Sequence, residues 1–394
     1  MNASAPLKII SLGNCWEHVH PDVIRVPTQF AAYPYFMVFT PYPLTDDRLE
    51  NPTIRASDNG LDWQRLAETP DPLVLPPDNP DMHHADPELV YDSGRLHLIY
   101  LTIRRSTDEV TFNTMNCKGD FHWSKPQVIH EDVGAVSPTY QVSEGIWEEW
   151  FIRMNASKNL VHSELVHREG YNLTNLRNER ACDIEIPQHV PWHIDVLKVE
   201  EAYEALVAAF PKKYDPTRTR LFHLSSKDGL MFKPTSKNPV MKPSLFGWDN
   251  RAIYRSSFLR EQDGSYRIWY SALSWGCHCG IGFLDGSIDS LHEKTVSLDT
   301  HAPVPRYVTR FPGELNGRLR YELRHHLPSL LLSLIPTAFF MHRQRKQLSP
   351  SVRTCAVLFP GNPNGGNALT LYSCFFENLE MFFPGDAVCR ARFS

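Results

Sequence analysis

Three carboxylates stand near the starts of strand-like runs, and they are the side chains of this sequence best suited to acid–base chemistry. They are Asp22, Asp86 and Asp195. When carboxylates share one pocket, repulsion and desolvation raise the pKa of at least one of them, which leaves a general acid beside a general base. Hydrolysis of a glycosidic bond requires such a pair. We therefore predict that these three residues form a catalytic set.

The stretch His83–Tyr100 shows the unit that would position such a carboxylate. Asp86-Pro87 precedes a predicted hairpin, with one strand over 88–91 and a second over 95–101 around the turn Asp92-Ser93-Gly94. Leu96, Leu98 and Tyr100 alternate with other residues, as expected of a half-buried strand. The carboxylate thus stands just before the first strand of the hairpin.

This unit recurs along the chain with a period of 51–59 residues. Glycine turns mark one landmark of the repeat: Gly60, Gly119, Gly170, Gly229 and Gly286. Polar strand starts mark the other: His20-Pro21-Asp22, Asp86-Pro87, Ser137-Pro138, His193-Ile194-Asp195 and Tyr254-Arg255. Five units of about four short strands each predict an all-β, five-bladed β-propeller over residues 10–298, and a β-sandwich with irregular loops is the alternative. Residues 299–394 follow as a C-terminal extension of uncertain structure.

In a propeller the innermost strand of each blade runs along the central axis, so the polar starts should meet in one funnel. This convergence adds a substrate-binding set to the three carboxylates: Glu50, His84, Ser137, His193, Tyr254 and Arg255. Each member also has a structural interpretation. An Asp before a strand commonly caps a turn through its own backbone, and Arg255 could either clamp a ligand or neutralise the buried Asp cluster.

Neither a metal nor a cofactor is predicted. The adjacent pair His83-His84 has poor geometry for one ion, because neighbouring side chains of a strand diverge. Cys277-His278-Cys279 has no second pair of ligands, and the sequence contains no glycine-rich phosphate loop.

Composition limits the partners. The net charge is −5 and residues 1–300 are acidic, which argues against nucleic acid. The apolar run Leu327–Met341 is interrupted by two prolines and is shorter than the roughly 20 residues of a membrane helix, so no membrane is predicted. Scattered cysteines and the absence of a visible signal peptide predict a cytoplasmic protein with free thiols. The oligomeric state is not predicted.

The order of these motifs resembles that of a known group. The Asp-Pro starts and turns such as Ser57-Asp58-Asn59-Gly60, followed by an aromatic residue, resemble the five-bladed propellers of the glycoside hydrolase family 43/32/68 superfamily and uncharacterised bacterial and phage relatives. The resemblance covers roughly residues 15–290. It implies a glycosidase acting on a carbohydrate by an inverting route, with Asp22 as base or nucleophile and Asp86 orienting sugar hydroxyls or tuning the acid.

One position departs from the family pattern. Val136 stands where these enzymes usually place a catalytic Glu, so that either Asp195 or Glu50 supplies the acid or the chemistry has been lost. The sequence therefore leaves open a non-catalytic carbohydrate-binding propeller. A weaker alternative is glycosyl transfer or phosphorolysis, with an anion site built from Arg251, Arg255 and His193.

Overall fold

The computed structural model describes most of the first 294 residues and three short strands near the C-terminus. The described residues are 5–67, 69–157, 160–212, 218–245, 247–275, 278–294, 372–375, 378–382 and 388–392. The chain divides into two compact units, Met1–Phe311 and Pro312–Ser394.

The first unit begins with two antiparallel meanders. The first has three strands: β1 (His18–Arg25), β2 (Tyr35–Pro41) and β3 (Thr53–Ser57). The second has four strands: β4 (Met82–Asp92), β5 (Arg95–Arg104), β6 (Glu109–Cys117) and β7 (Gln127–Val133). In both, consecutive strands are neighbours in the sheet.

The third and fourth meanders share one eight-stranded sheet. The third consists of β8 (Ala135–Ser143), β9 (Ile146–Ser157), β10 (Leu160–Gly170) and β11 (Arg177–Ile184). The fourth consists of β12 (His189–Val199), β13 (Ala202–Pro211), β14 (Arg220–Ser226) and β15 (Met231–Pro234). Their last strands join the two meanders, because β11 pairs with β15 in parallel.

The fifth meander is the last sheet described in the first unit, and short helices lie outside the sheets of this unit. Its strands are β16 (Ala252–Arg260), β17 (Tyr266–Leu273) and β18 (Cys279–Gly286). Among the described residues, one α-helix, α1 (Ile288–Lys294), follows, and four 3-10 turns lie at Leu12–Asn14, Pro43–Thr45, Asp47–Leu49 and Leu173–Asn175. In the second unit, β19 (Tyr372–Phe375), β20 (Asn378–Phe382) and β21 (Val388–Arg392) form a separate three-stranded sheet.

Five hydrophobic clusters lie between successive meanders and make a closed cycle. Phe36 and Leu98 belong to the cluster between the first and second meanders. Further clusters join the second to the third, the third to the fourth and the fourth to the fifth. The last cluster packs Phe39 of the first meander with Trp269 and Ile281 of the fifth. Each meander therefore buries both faces against neighbouring meanders, as the blades of a propeller do.

The N-terminal segment lies against the fifth meander and contributes to this last cluster. The Leu7 N–H donates a 2.7 Å hydrogen bond to the Ile281 carbonyl, and Ile9 is 1% exposed. These contacts join the start of the described chain to the fifth meander, although Leu7 and Ile9 lie outside the strands.

The predicted hairpins are confirmed in four meanders. The turn at Ser93-Gly94 joins β4 to β5, and the turns near Glu144, Glu200 and Gly264 join the first two strands of the third, fourth and fifth meanders. Two of the glycine turns also contact another meander. The Trp269 indole N–H donates to the Gly60 carbonyl, and that of Trp150 donates to the Gly229 carbonyl, each at 2.7 Å.

Two remaining predictions concern the parts outside the meanders. No helix among the described residues has the length and apolar character needed to cross a membrane. The apolar run Leu327–Met341 lies outside the described residues.

Candidate functional site

The first strand of each meander is irregular at the polar start that the sequence identified. In β1, β4 and β8 the pairing register shifts around an X-Pro pair, and the residue before proline is left-handed: His20 has φ 54°, Asp86 φ 47° and Ser137 φ 52°. Register shifts also occur in β12 and β16. A bulge of this kind re-aims side chains, and such irregularities are common next to active sites.

Just after these irregularities, five side chains tie the innermost strands into a ring. Each side chain accepts a hydrogen bond from a backbone N–H of the neighbouring innermost strand. The donor is always the residue directly after that strand's own member of the set. The pairs are Asp22 with Leu89 (2.7 Å), Glu88 with Tyr140 (3.3 Å), Thr139 with Val196 (3.3 Å), Asp195 with Phe258 (3.0 Å) and Ser257 with Val23 (3.0 Å). We call Asp22, Glu88, Thr139, Asp195 and Ser257 the tie row.

Arg255 supplies positive charge to the tie row. It is 1% exposed, and its guanidinium donates to Glu88 (2.9 Å), to Asp86 (3.1 Å) and to the Pro138 carbonyl (3.2 Å). Burial and the charge of Asp22 raise the pKa of Asp195 to about 8, so this carboxyl is protonated at pH 7. Arg255 instead balances the charge of Asp86, whose carboxylate it contacts, which is one of the two roles considered from the sequence.

Three side chains each lie two residues before a member of the tie row (Asp22, Glu88 and Asp195). They are His20, Asp86 and His193, and we call them the funnel triad. The Nε2 atoms of His20 and His193 lie 3.5 and 3.8 Å from Asp86 Oδ1. All three side chains are at least 97% buried, and their ligand atoms lie within 4.8 Å of one another. The triad is thus a compact set of two imidazoles and one carboxylate.

Protonation and hydrogen bonding of the triad suit a divalent metal ion. Burial lowers the pKa of His20 to about 4 and that of His193 to about 3, so both imidazoles are neutral at pH 7. His20 Nε2 has no hydrogen-bond partner among the described residues, while its Nδ1 faces Thr40 Oγ1 at 3.3 Å. Two neutral imidazoles and a carboxylate form a known ligand set for Zn²⁺ and other divalent transition metals. The sequence prediction that no metal binds stays a prediction.

Asp86 is held on both oxygens. Its Oδ2 accepts the Ser137 N–H at 2.9 Å, and its Oδ1 accepts from Arg255. Burial alone would raise the pKa of this carboxyl, but the electrostatic interactions with His20, the Arg255 guanidinium and His193, together with the Ser137 N–H, outweigh burial and lower it. Asp86 is therefore ionised and fixed in orientation.

Glu50 borders the triad in a different state. It is 4% exposed, and its Oε2 lies 4.0 Å from His20 Nδ1. Burial, followed by the charge of Asp86, raises the pKa of Glu50 well above its ordinary value. Two adjacent carboxyls with opposite pKa shifts offer a proton donor beside an anion.

Aromatic rings border the triad on a second side. The Tyr254 ring stacks on His20 with centroids 5.0 Å apart and meets the half-buried Trp192 edge-on at 4.9 Å. Tyr42 is parallel to Tyr254 at 6.5 Å. Aromatic faces of this kind pack against the apolar face of a sugar ring.

The other predicted site residues lie in surroundings that explain them structurally. The ring nitrogens of His84 face Thr102 Oγ1 and the Leu75 carbonyl, each at 3.0 Å, so this histidine is fully engaged. The Ser137 hydroxyl bonds the backbone of Ile194. Val136 packs against the hydrophobic cluster of the third and fourth meanders, where a carboxylate would have apolar neighbours.

The sequence prediction named Asp22 and Asp195 as catalytic, and the structure places both in the tie row rather than in the funnel triad. Their oxygens accept backbone N–H groups and hydroxyls of neighbouring strands. The residue beside Asp86 is His20, which was recognised as a strand start but not as a site residue. The available signal was the alignment of His20-Pro21 with Asp86-Pro87 and Ser137-Pro138.

Comparison with known proteins places this geometry in context. No protein-family model matches the chain. It is 26% identical to the A type blood N-acetyl-alpha-D-galactosamine deacetylase of Flavonifractor plautii, over 64% of this chain and 40% of that protein. The chain thus matches less than half the length of this curated relative.

Solved structures share the fold. The crystal structure of an N-acetylgalactosamine deacetylase from F. plautii, in complex with blood group B trisaccharide, superimposes with a TM-score of 0.67 at 18% identity, covering 75% of this chain and 97% of that one. A thermostable family-43 glycoside hydrolase gives a TM-score of 0.52 at 11% identity, covering 71% and 91%. The first unit therefore has the β-propeller fold found in glycoside hydrolases of this type.

Proposed function

We propose that this chain is a carbohydrate-processing hydrolase that removes the acetyl group from an N-acetylated amino sugar. The five meanders would be five blades of one propeller, and the reaction would take place where their innermost strands begin. The likeness to the F. plautii deacetylase supports this reaction class. The finer prediction of an inverting glycosidase becomes the second candidate.

The observation that carries the proposal is the funnel triad and the open hydrogen-bonding position on one of its imidazoles. His20, Asp86 and His193 present three ligand atoms within 4.8 Å, and His20 Nε2 has no hydrogen-bond partner among the described residues. A buried polar atom without a partner costs about 1–3 kcal/mol, and a bound divalent cation would remove this cost. When bound, such an ion would act as a Lewis acid on the acyl carbonyl.

The chain's own residues supply the remaining functions. Arg255 and the Ser137 N–H keep Asp86 ionised and oriented. Glu50, with its raised pKa, holds a proton at its carboxyl that could pass to the leaving amine. Trp192 and Tyr254 offer ring faces against which the sugar would pack. A water molecule would attack the acyl carbon as the C–N bond breaks, and its proton would return to Glu50, so that acetate and the free amine leave.

The test measures acetate release and metal content together. The purified chain is stripped with a chelator, reloaded with Zn²⁺ or Mn²⁺, and incubated with oligosaccharides that end in N-acetyl-α-D-galactosamine. We expect about one ion per chain, loss of acetate release after stripping, and recovery on reloading. His20→Ala and His193→Ala should lower both metal content and turnover, whereas Glu50→Gln should lower turnover alone. Arg260→Ala, at an exposed position, serves as the matched control.

Glycoside hydrolysis is the second candidate because Glu50 and Asp86 have pKa values shifted in opposite directions. In that reaction Glu50 would protonate the leaving oxygen and Asp86 would act as base. Release of aryl groups from aryl glycosides without release of acetate, unaffected by the chelator, would favour this candidate and overturn deacetylation. Glycan binding without either product would leave a carbohydrate-binding propeller.

A further inference from the structure

We propose that the Tyr254 hydroxyl is a further catalytic group, which donates a hydrogen bond to the acyl oxygen while negative charge develops on that oxygen. This role rests on the deacetylation proposed above, in which only the ring of Tyr254 has been used. The ring lies beside the funnel triad, its hydroxyl is open, and Glu50 lies next to the same imidazole.

The Tyr254 ring is fixed against the two imidazoles of the funnel triad. It stacks on His20 with centroids 5.0 Å apart, and its centroid lies 4.7 Å from that of His193. Trp192 meets it edge-on at 4.9 Å. Tyr254 also lies in the part of β16 where the pairing register shifts. The irregular backbone and the ring contacts therefore hold the phenol beside the triad, as is required of a preorganised catalytic group.

The Tyr254 hydroxyl makes no hydrogen bond within the described part of the chain. It is not enclosed either, because the side chain is half-buried and its oxygen is not one of the buried polar atoms that lack a partner. Three other tyrosines of the first unit each donate to a glutamate: Tyr140 to Glu149, Tyr203 to Glu148 at 2.9 Å and Tyr266 to Glu204 at 2.8 Å. Tyr254 departs from this pattern, so its hydroxyl remains available to a ligand.

Glu50, the proton donor of the proposed reaction, lies next to the same imidazole as Tyr254. The Oε2 atom of Glu50 is 4.0 Å from His20 Nδ1, and Tyr254 stacks on the His20 ring. Burial raises the pKa of Tyr254, and interactions with Glu50 and Asp86 add to this effect, so both carboxyls lie near its hydroxyl. A phenol is protonated at neutral pH even without such neighbours. The phenol and the Glu50 carboxyl thus border one space, the first as a hydrogen-bond donor and the second as a proton source.

Hydrolysis of an amide creates negative charge that such a donor stabilises. As the water oxygen bonds to the acyl carbon, the π electron pair of the carbonyl moves onto its oxygen, and the Tyr254 O–H donates to that oxygen without giving up its proton. When the C–N bond breaks, the pair returns to form the carbonyl. The leaving nitrogen takes the proton of Glu50, and a proton of the water passes to Glu50.

Other donors beside the triad are already engaged. Arg255 and the Ser137 N–H both hold Asp86. A hydrogen bond from Tyr254 that tightens only in the transition state raises kcat and leaves substrate affinity nearly unchanged.

The test of this role begins with Tyr254→Phe in the metal-loaded full chain, since this change keeps the ring and removes only the hydroxyl. With an oligosaccharide that ends in N-acetyl-α-D-galactosamine, kcat for acetate release should fall by about 10²–10³-fold, the usual loss for one oxyanion donor. KM and metal content should be nearly unchanged. Tyr171→Phe makes the same change at a side chain that is 84% exposed and should behave as the wild type.

Binding provides a readout that does not depend on turnover. The probes are methyl α-N-acetylgalactosaminide and its analogue in which a methylphosphonate replaces the acetyl group. The tetrahedral phosphorus and anionic oxygens of the analogue resemble the transition state. In calorimetric titrations, Tyr254→Phe should weaken binding of the analogue by about 10²-fold and leave binding of the acetamide unchanged.

The outcomes separate the role of Tyr254 from the proposed reaction. If the wild type releases no acetate and binds the analogue no more tightly than the acetamide, deacetylation fails and the role of Tyr254 fails with it. If the wild type releases acetate and Tyr254→Phe matches it in kcat and in affinity for the analogue, the reaction stands and only the role of the hydroxyl is overturned. Equal losses of affinity for the analogue and the acetamide would make the hydroxyl an ordinary sugar contact, which also overturns the proposal.

Discussion

Arg255 is the residue on which the buried charges of the axis depend. Its guanidinium contacts Glu88 and Asp86, and the charges of Asp22 and Asp195 also act on it. Removal of one partner from a buried charge cluster leaves the others uncompensated, which typically costs about 3–5 kcal/mol. The identity of this side chain therefore matters for folding as well as for the position of Asp86.

We expect Arg255→Met to destabilise the first unit by about 3–5 kcal/mol at pH 7. Arg255→Lys should retain part of the stability but orient Asp86 poorly, because an ammonium cannot reproduce the fork of hydrogen bonds. Urea unfolding of both variants measures the change. Arg260→Met makes the same replacement at an exposed position and should be nearly neutral. Equal stability of Arg255→Met and the wild type would show that the cluster does not need this cation.

At the same scale, the sequence could identify the site only to within two residues. The repeat of polar starts correctly brought Asp86, His193 and Tyr254 to one place. It could not separate the funnel triad from the tie row, because both rows are polar and lie two positions apart. The separation between Asp22 and His20 depends on a bulge in β1, and bulges have no strong signal in a single sequence.

At the scale of the elements, the glycine turns join neighbouring meanders. Gly60 and Gly94 have nearly the same left-handed backbone, with φ of 74° and 76°. A Cβ on Gly60 would lie 2.9 Å from the Trp269 ring, whereas a Cβ on Gly94 would meet nothing within 4 Å. The two glycines therefore separate backbone strain from close packing.

Replacement of each glycine by alanine tests this separation. Gly94→Ala should cost about 1–2 kcal/mol, the strain of a left-handed alanine. Gly60→Ala should cost about 1–3 kcal/mol more, because the indole must also move. Denaturant unfolding of the two variants gives the difference. A Gly60→Ala variant no less stable than Gly94→Ala would mean that Trp269 yields without cost.

An ion-pair network between the second and third meanders makes the stability of these strands depend on pH. Asp132 at the end of β7 accepts two hydrogen bonds from Arg153 of β9, at 2.9 and 2.7 Å, and lies 3.4 Å from Arg168 of β10. Burial alone would raise the pKa of Asp132, but the hydrogen bonds and charges of the two arginines outweigh it and lower the pKa. The stabilisation is thus present above the unfolded pKa of about 4 and is lost as the pH falls through the folded value.

We expect Asp132→Asn to lower stability by about 1 kcal/mol at pH 7, a modest value because solvent partly screens the pair. The difference from the wild type should shrink as the pH falls below about 4. The wild-type carboxyl then takes up a proton first in the unfolded state and, at lower pH, in the folded state, so the ion pair no longer stabilises the fold. Urea midpoints at pH 7 and pH 3 measure this. Asp285→Asn, at an exposed position of β18, is the control. A difference that grows on acidification would contradict the assignment.

The hairpins and glycine turns of these elements could be predicted from the sequence because they depend on the conformational preferences of a few neighbouring residues. Ser93-Gly94 and Gly60 occupy backbone conformations that glycine and short polar residues favour. The parallel pairing of β11 with β15 was not predictable, since it joins residues about 48 positions apart without a local signal. Long-range partners of this kind are selected by packing.

At the scale of the whole molecule, the cycle of five hydrophobic clusters depends on the cluster between the first and fifth meanders. Ile9 enters this cluster with Phe39, Trp269 and Ile281, although it lies outside every named strand. The cluster joins the beginning of the first unit to its last sheet, so it closes the ring of packed sheets. A cavity here would weaken that closure.

Ile9 and Ile10 offer a matched test of ring closure, because the same substitution can be made at neighbouring positions. Ile9 is 1% exposed and Ile10 is 45% exposed. Ile9→Ala should cost about 2–5 kcal/mol, the typical result of truncating a buried isoleucine, whereas Ile10→Ala should change stability by less than about 0.5 kcal/mol. Thermal and urea unfolding measure both. If the N-terminal segment only rests on the surface, the two variants will unfold together with the wild type, and closure must then depend on Trp269 and Ile281 alone.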